Sequence, residues 1–309
     1  MRDVLCVGNA VADTIVRPVT KLPPGGRLVY MDEVGLHGGV CALFSARAAA
    51  RLGLKAGIVA GVGRDAFGAF LVKRLEEEGV ETFAVVRDPR RQSSATAVLV
   101  YPGGERSFLH TPGASAAVGE RSVPDALLKR HRALHLSGFF IMPRLDGPPA
   151  RRVLARAKRL GLLTTLDSCW DPRKRWHLIL PCLPHVDYYV PSWEEAREVF
   201  QTSDLRAIAW AALRRGVRRA VVLKMGARGC YALTREGREH RVPAFRVRAV
   251  DATGAGDCFD AGLLTGLLRG WPLRRSLQLG CAAGALSVSA SGGLGLLRSF
   301  SQASRLARS

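Results

Sequence analysis

The chain has 309 residues and 48% hydrophobic content, ample for a sizeable buried core. Its seven cysteines are dispersed with no C-x-x-C pair, which predicts reduced thiols in a cytoplasm and neither disulfides nor structural zinc. A net charge of +20 admits nucleic acid, an anionic membrane or an anionic small substrate, but the arginines fall in scattered pairs such as Arg90-Arg91 and Arg218-Arg219, without interleaved aromatics, which argues against a nucleic-acid groove.

MRDVLCVGNAVAD carries Asp3 and only a short apolar run, unlike a secretory signal. Val4 to Val7 reads as a strand; Thr14 to Leu36, with Pro18, Pro23-Pro24 and Gly25-Gly26, reads as an antiparallel excursion. A helix over Cys41 to Leu52, a strand over Ala56 to Ala60 and a helix over Ala66 to Glu78 follow. SATAVLVYPGGERSFLH, Ser94 to His110, predicts two strands about a Pro-Gly-Gly turn. Strands are then expected at Ala133 to Leu136, Leu162 to Asp167, Tyr188 to Val190 and Ala220 to Leu223. The intervening and following helices are Pro149 to Leu160, Glu194 to Phe200, Leu205 to Arg215, Cys258 to Leu268 and Leu273 to Leu286. This βαβ order predicts an α/β three-layer sandwich with a mainly parallel sheet. No Pro/Gly/Ser-rich linker divides it, so one domain over residues 1–309 is expected, with lid segments at about 14–36 and 94–110 that, if they pair, form a small sheet over the edge of the parallel sheet, where such folds bind ligands at the carboxyl ends of strands. Ser276 to Leu297 is uncharged and long enough for a bilayer, but Ser, Gly and Gln dilute it, so a buried helix running into a strand is predicted.

The stretch AVDATGAGDCFDAG, Ala249 to Gly262, places Asp257 behind Gly254-Ala255-Gly256 at a helix start. Unpaired N–H groups there bind phosphate, and glycines let an anion come close. A carboxylate beside that anion is useful when a hydroxyl must lose its proton while attacking phosphorus, so the pattern points to phosphoryl transfer. The plainer alternative is that Asp257 is only an N-cap.

D-x-T-G-A-G-D followed by C-F-x-A-G resembles the C-terminal signature of the ribokinase-like, or PfkB-type, carbohydrate kinases, which use no P-loop; G-x-x-x-x-G-K-[ST] does not occur here. Val7-Gly8 with Asp13, Gly38-Gly39 before a helix ending Ala50-Arg51-Leu52-Gly53, Gly63-x-Asp65-x-x-Gly68, Gly104-Glu105-Arg106, Pro191-x-x-x-Glu195 and Lys224-Met225-Gly226-x-x-Gly229 extend the similarity along nearly the whole chain. The resemblance implies an ATP- and Mg²⁺-dependent kinase that phosphorylates a hydroxymethyl group of a sugar, with Asp257 as general base and Gly254, Ala255 and Gly256 donating to the transferring phosphoryl. It implies Asp13, Gly38, Gly39 and the position of Phe44 on the sugar side. Thr253, Lys224, Gly226, Gly229 and Cys281 fall on the ATP side. Glu195 and Ser192 would position Mg²⁺ through water. Asp251 would contact K⁺ in a potassium-responsive member, or simply bond the turn. A homodimer through the lids and no membrane attachment complete the expectation.

The sequence departs from the family pattern where the sugar site is built. Counting back from Arg51-Leu52-Gly53 puts Phe44 at a position where the family has Asn, and Val40 where it has glycine. A ring cannot bond a hydroxyl, and a buried hydroxyl left unpaired costs about 1–3 kcal/mol. Ser192 and Cys281 likewise stand where the family often has Asn. Phe44 either packs as a core residue or reshapes the acceptor pocket. The alternatives are therefore a nucleoside kinase and a member that binds ligand or partner without turnover. His131 and His135 have metal-like i, i+4 spacing but no acidic or Cys partner nearby, and His135 enters a predicted strand. Trp170-Asp171-Pro172-Arg173 reads as a loop at a strand's carboxyl end, shaping a site mouth or anchoring structure.

Overall fold

Val4, Leu5, Cys6 and Val7 are wholly buried because their strand, β1 (Arg2–Val7), runs between two parallel neighbours, β4 (Ala56–Val59) and β9 (His131–Phe139). The structure is a computed structural model and describes residues 1–39, 41–103 and 105–308; the expectations for Val40 and Gly104 lie outside them. The sheet continues from β9 through β10 (Leu163–Ser168), β11 (Tyr188–Tyr189) and β12 (Ala220–Lys224), all parallel. It then turns antiparallel through the hairpin β13 (Cys230–Thr234) and β14 (Glu239–Val242). Side-chain alternation sends Leu5 and Val7 to one face and Val4 and Cys6 to the other. The first face is covered by α4 (Pro148–Arg159), α5 (Trp193–Phe200) and α6 (Leu205–Arg214), with the short α3 (Asp125–Leu128) nearby. The second face is covered by α1 (Ala42–Arg51), α2 (Ala66–Glu77), α7 (Ala255–Leu268), α8 (Leu273–Val288) and α9 (Phe300–Leu306). This is the three-layer arrangement predicted from the βαβ order.

A second sheet has the order β3-β2-β7-β8, from β2 (Val11–Arg17), β3 (Glu33–Gly39), β7 (Ser94–Val100) and β8 (Arg106–Thr111). The two predicted excursions do pair, through the parallel β2–β7 contact that sets Asp13 beside Thr96. The first excursion is wider than expected: its strands begin at Val11 and run to Gly39, so Asp13 lies inside the lid sheet. The short β5 (Gly61–Gly63) and β6 (Val86–Asp88) make a separate parallel pair.

Three expectations change. Helix α7 starts at Ala255, three residues before the predicted Cys258, because Gly254 adopts φ 74° and turns the chain into the helix early. The β13–β14 hairpin and α9 were not predicted. These elements are four to seven residues long, too short for a period to register, and β14 and α9 also carry arginine. Ser276 to Leu297 does not run into a strand: α8 ends at Val288 in a glycine-rich loop. Among the described residues no helix is long and apolar enough to cross a membrane.

Candidate active site

The amino end of α7 meets the carboxyl ends of β10 and β12 and the start of α1. Asp257 is the third residue of α7, not its cap; the cap is Gly254, so the N-cap alternative falls. The Asp257 carboxylate is 8% exposed, and its Oδ2 accepts the Cys41 N–H at 3.2 Å from across the site. The first helical N–H groups have no acceptor within the helix, and Ala255 N–H makes only a 3.3 Å bond to the Ala252 carbonyl. Gly254, Ala255 and Gly256 remain half-buried, so a ligand can reach these donors.

Beneath the turn lies a buried charge network. Lys224 Nζ donates to Asp260 at 3.2 Å and pairs with Asp167 Oδ2 at 2.9 Å. A Cβ on Gly256 would stand 3.2 Å from that ammonium. Burial opposes the Lys224 charge, but Asp167 and Asp260 outweigh it and hold the group firmly protonated. Four buried carboxylates, Asp167, Glu195, Asp257 and Asp260, thus face one buried ammonium. Burial, then Asp167, push Asp257 up to about 8 and Glu195 up to about 7. Burial, then Asp167, also raise Asp260. His135 lies 3.8 Å from Asp260, but burial drops it to about 4, so it is neutral there and its Nδ1 contacts Thr165 Oγ1 at 2.8 Å. His131 Nδ1 is bonded to the Leu127 carbonyl.

On the lid side, Asp13 is buried and shifted up to about 6 by burial, against a Thr96 hydrogen bond that lowers it. Gly39 passes directly over it: a Cβ there would stand 1.8 Å from Oδ2, so only glycine lets β3 cross the carboxylate. Gly38 packs beside Leu43. Phe44 is 1% exposed, and its ring is wedged against Gly254 and Gly293; a Cβ on Gly293 would meet it at 2.0 Å. The ring is closed off from solvent and seats the anion turn from below. Arg106, on β8, reaches across to donate to Thr253 Oγ1 at 2.5 Å and to Asp251 Oδ1 at 3.3 Å. Asp251 also accepts the N–H groups of Thr253 and Gly292, which stitches the turn. A cleft of about 240 Å³ opens between lid and turn, with Arg17, His37, Arg106 and Thr253 on its walls.

On the other flank, Ser192 caps α5 and forms a reciprocal capping box with Glu195, whose Oε2 also accepts from Ser168 Oγ at 3.0 Å. A bridge between Ser192 and Lys224 brings this pair to the end of β12. Gly226 and Gly229 frame the turn from β12 into β13, and Cys281 is buried on α8 in an apolar cluster with Phe259 and Leu277. Trp170 is exposed and packs edge-on to Trp176.

The site also contains residues the sequence reading passed over. Asp260 sits three positions past Asp257 on an otherwise apolar helix, a buried charge legible in GDCFDAG. Asp167 ends a strand. Asn9 follows Val7-Gly8, is 1% exposed, and its Oδ1 has no partner, although it lies where a Cβ on Gly138 would come within 2.6 Å. An orphaned buried acceptor is rare in folded proteins.

Comparison with known proteins extends this geometry. The family profile described as pfkB family carbohydrate kinase matches residues 1–297. Ribokinase of Schizosaccharomyces pombe is 27% identical over 307 residues, 94% of this chain and 93% of that one. Fructokinase of Escherichia coli is 30% identical over 261 residues, 79% of this chain and 83% of that one. In fold, the chain superposes on Arabidopsis thaliana ribokinase complexed with ribose and ATP with a TM-score of 0.87, at 20% identity and covering 100% and 99% of the two chains. A putative ribokinase II from E. coli in complex with ATP and Mg²⁺ gives 0.85 at 23% identity, covering 100% and 99%.

Proposed function

Because the chain belongs to the pfkB family of carbohydrate kinases, we propose that it moves the γ-phosphoryl group of ATP onto a hydroxymethyl group of a sugar or sugar-like compound, with Asp257 as general base. The observation that carries this reading is the Asp257 carboxylate, buried in the first turn of α7 directly behind the Gly254-Ala255-Gly256 amides. Asp257 takes the proton from the attacking hydroxyl, and its raised pKa makes it a better acceptor than an ordinary carboxylate. The turn's N–H groups receive charge developing on the phosphoryl oxygens. Arg106 brings a cation from the lid to the same turn. Asp13 and the orphaned Asn9 accept hydrogen bonds from sugar hydroxyls, in place of the missing Asn at Phe44. Gly226, Gly229 and the apolar surroundings of Cys281 take the nucleotide's base and ribose, and Thr253 lies by its phosphates.

The donor set suits Mg²⁺. The hard carboxylate oxygens of Glu195 and its neighbours match a hard cation, and a dication there would favour the ionised forms of carboxyls that burial otherwise holds protonated. Mg²⁺ is ordinarily held by one or two carboxylates together with waters and substrate phosphates. Glu195, with Ser192 through water, would hold it; when bound, it neutralises phosphate charge. Asp251 is the proposed contact for K⁺. The exposed Val34, Leu36 and Leu109, which the strand register puts on one face of the lid sheet, support a homodimer through that face, and seven free thiols support a reducing, cytoplasmic location.

The test is phosphate transfer from ATP, with Mg²⁺ and K⁺ present, to a panel of sugars, phosphosugars and nucleosides. Transfer to a sugar or phosphosugar is expected, and Asp257→Asn lowers it at least about a hundredfold. Transfer to nucleosides alone replaces the acceptor in this reading, and ligand binding with no transfer to any compound replaces the kinase by a binding protein.

A further inference from the structure

Cys41 and Cys169 come from different elements, yet their sulfurs lie 3.0 Å apart, and both are free thiols. A disulfide needs an approach of only about 1 Å more. The other close pair, Cys230 and Cys281, stands at 3.8 Å, an ordinary contact inside an apolar cluster. The position of the first pair is what gives it meaning. Cys41 sits between the lid strand β3 and helix α1 at φ 51°, and its N–H is the hydrogen-bond donor to Asp257. Cys169 follows β10 directly after Ser168, whose hydroxyl donates to Glu195, and it is partly exposed, which gives an oxidant a way in.

We propose that Cys41 and Cys169 form an oxidisable dithiol site, closed by a two-electron oxidant, and that closing it stops turnover by tying the lid hinge to the loop after β10. The bookkeeping is simple. One thiolate attacks the oxidant, a peroxide or a diazene such as diamide, and the second displaces the reduced oxidant. Two S–H bonds are lost and one S–S bond forms, and the oxidant takes up two electrons and two protons. In the closed form the Cys41 backbone is drawn toward β10, which alters its bond to Asp257, and the lid loses the freedom to swing on Gly38-Gly39. The Cys169 contact and burial hold the Cys41 thiol protonated, and burial raises Cys169 despite the Cys41 contact that lowers it. Because both thiols are held protonated, one must first lose its proton, and the pair closes only when an oxidant is present and then slowly.

The effect on turnover rests on the kinase reading, whereas the bond itself does not, so the two are measured separately. The purified full-length chain is treated with diamide, digested without reduction and mapped by mass spectrometry. A Cys41–Cys169 linked peptide that disappears with dithiothreitol is expected; its absence, or linkage only of Cys230 to Cys281, overturns the site. In parallel, phosphate transfer should fall at least tenfold in the treated protein, recover with dithiothreitol, and be indifferent to diamide in Cys169→Ser. Equal inactivation of Cys169→Ser overturns the assignment, and a linked but fully active protein overturns the inhibition. Should Cys169→Ser fold poorly, Cys41→Ala serves the same purpose, since it keeps the backbone N–H that Asp257 uses.

Discussion

Asp257 combines two demands that pull against each other. In the base role proposed for it, it must be ionised, but burial and the nearby Asp167 and Glu195 push its pKa up to about 8, while Lys224 and the Cys41 N–H pull it back. Two outcomes follow from the sign of that shift. Activity of the ligand-free enzyme, read as kcat/KM, should climb as pH rises through about 8. Stability runs the other way: a carboxylate raised in the folded state contributes most below its unfolded value of 3.8 and loses that contribution as pH approaches 8. Asp257→Asn should therefore melt at a higher temperature than wild type at alkaline pH, with the gap narrowing in mild acid, while transfer is lost. Phe44 is a different kind of residue. Its ring fills the space between Gly254 and Gly293, so Phe44→Asn removes a wedge and buries an amide, at about 3–5 kcal/mol. We expect its Tm to drop by at least about 6 °C and its turnover to fall. A stable variant with faster sugar turnover would show that the ring blocks the acceptor pocket.

At the scale of elements, the lid and the turn are connected by one side chain. β8 delivers Arg106 to Thr253 and Asp251, so the lid sheet and the start of α7 are held together by charge-assisted hydrogen bonds. Arg106→Ala should raise the KM for ATP about tenfold, the loss of roughly 1.4 kcal/mol. Its Tm should stay within about 2 °C of wild type, because a half-buried arginine contributes little to the core. An unchanged KM would make the contact a passive clasp. The same lid carries Val34, Leu36 and Leu109 to the surface on one face, and light scattering should find a dimer that Leu109→Glu reduces to monomer.

At the scale of the molecule, the predicted parallel strands all occur, since each is a short, mostly apolar run buried on both faces. The lid pairing followed from two turn-rich excursions. The hairpin β13–β14 and helix α9 escaped because each strand or helix is too short for a period to register, and the half-exposed β14 and α9 carry arginine besides. The glycine-rich turn at the start of α7 was visible because Asp251 through Gly262 are contiguous, so its pattern is written in one stretch.

What the sequence determined by itself was the α/β order, the Gly-Ala-Gly turn with its carboxylate, and the departure at Phe44, because each rests on local spacing. The tertiary structure alone decided that Phe44 supports the turn from beneath, that Lys224 serves Asp167 and Asp260, and that Cys41 touches Cys169 across 128 positions of chain. Such contacts join the ends of separate strands and helices, and no period or motif encodes which ends the fold will bring together.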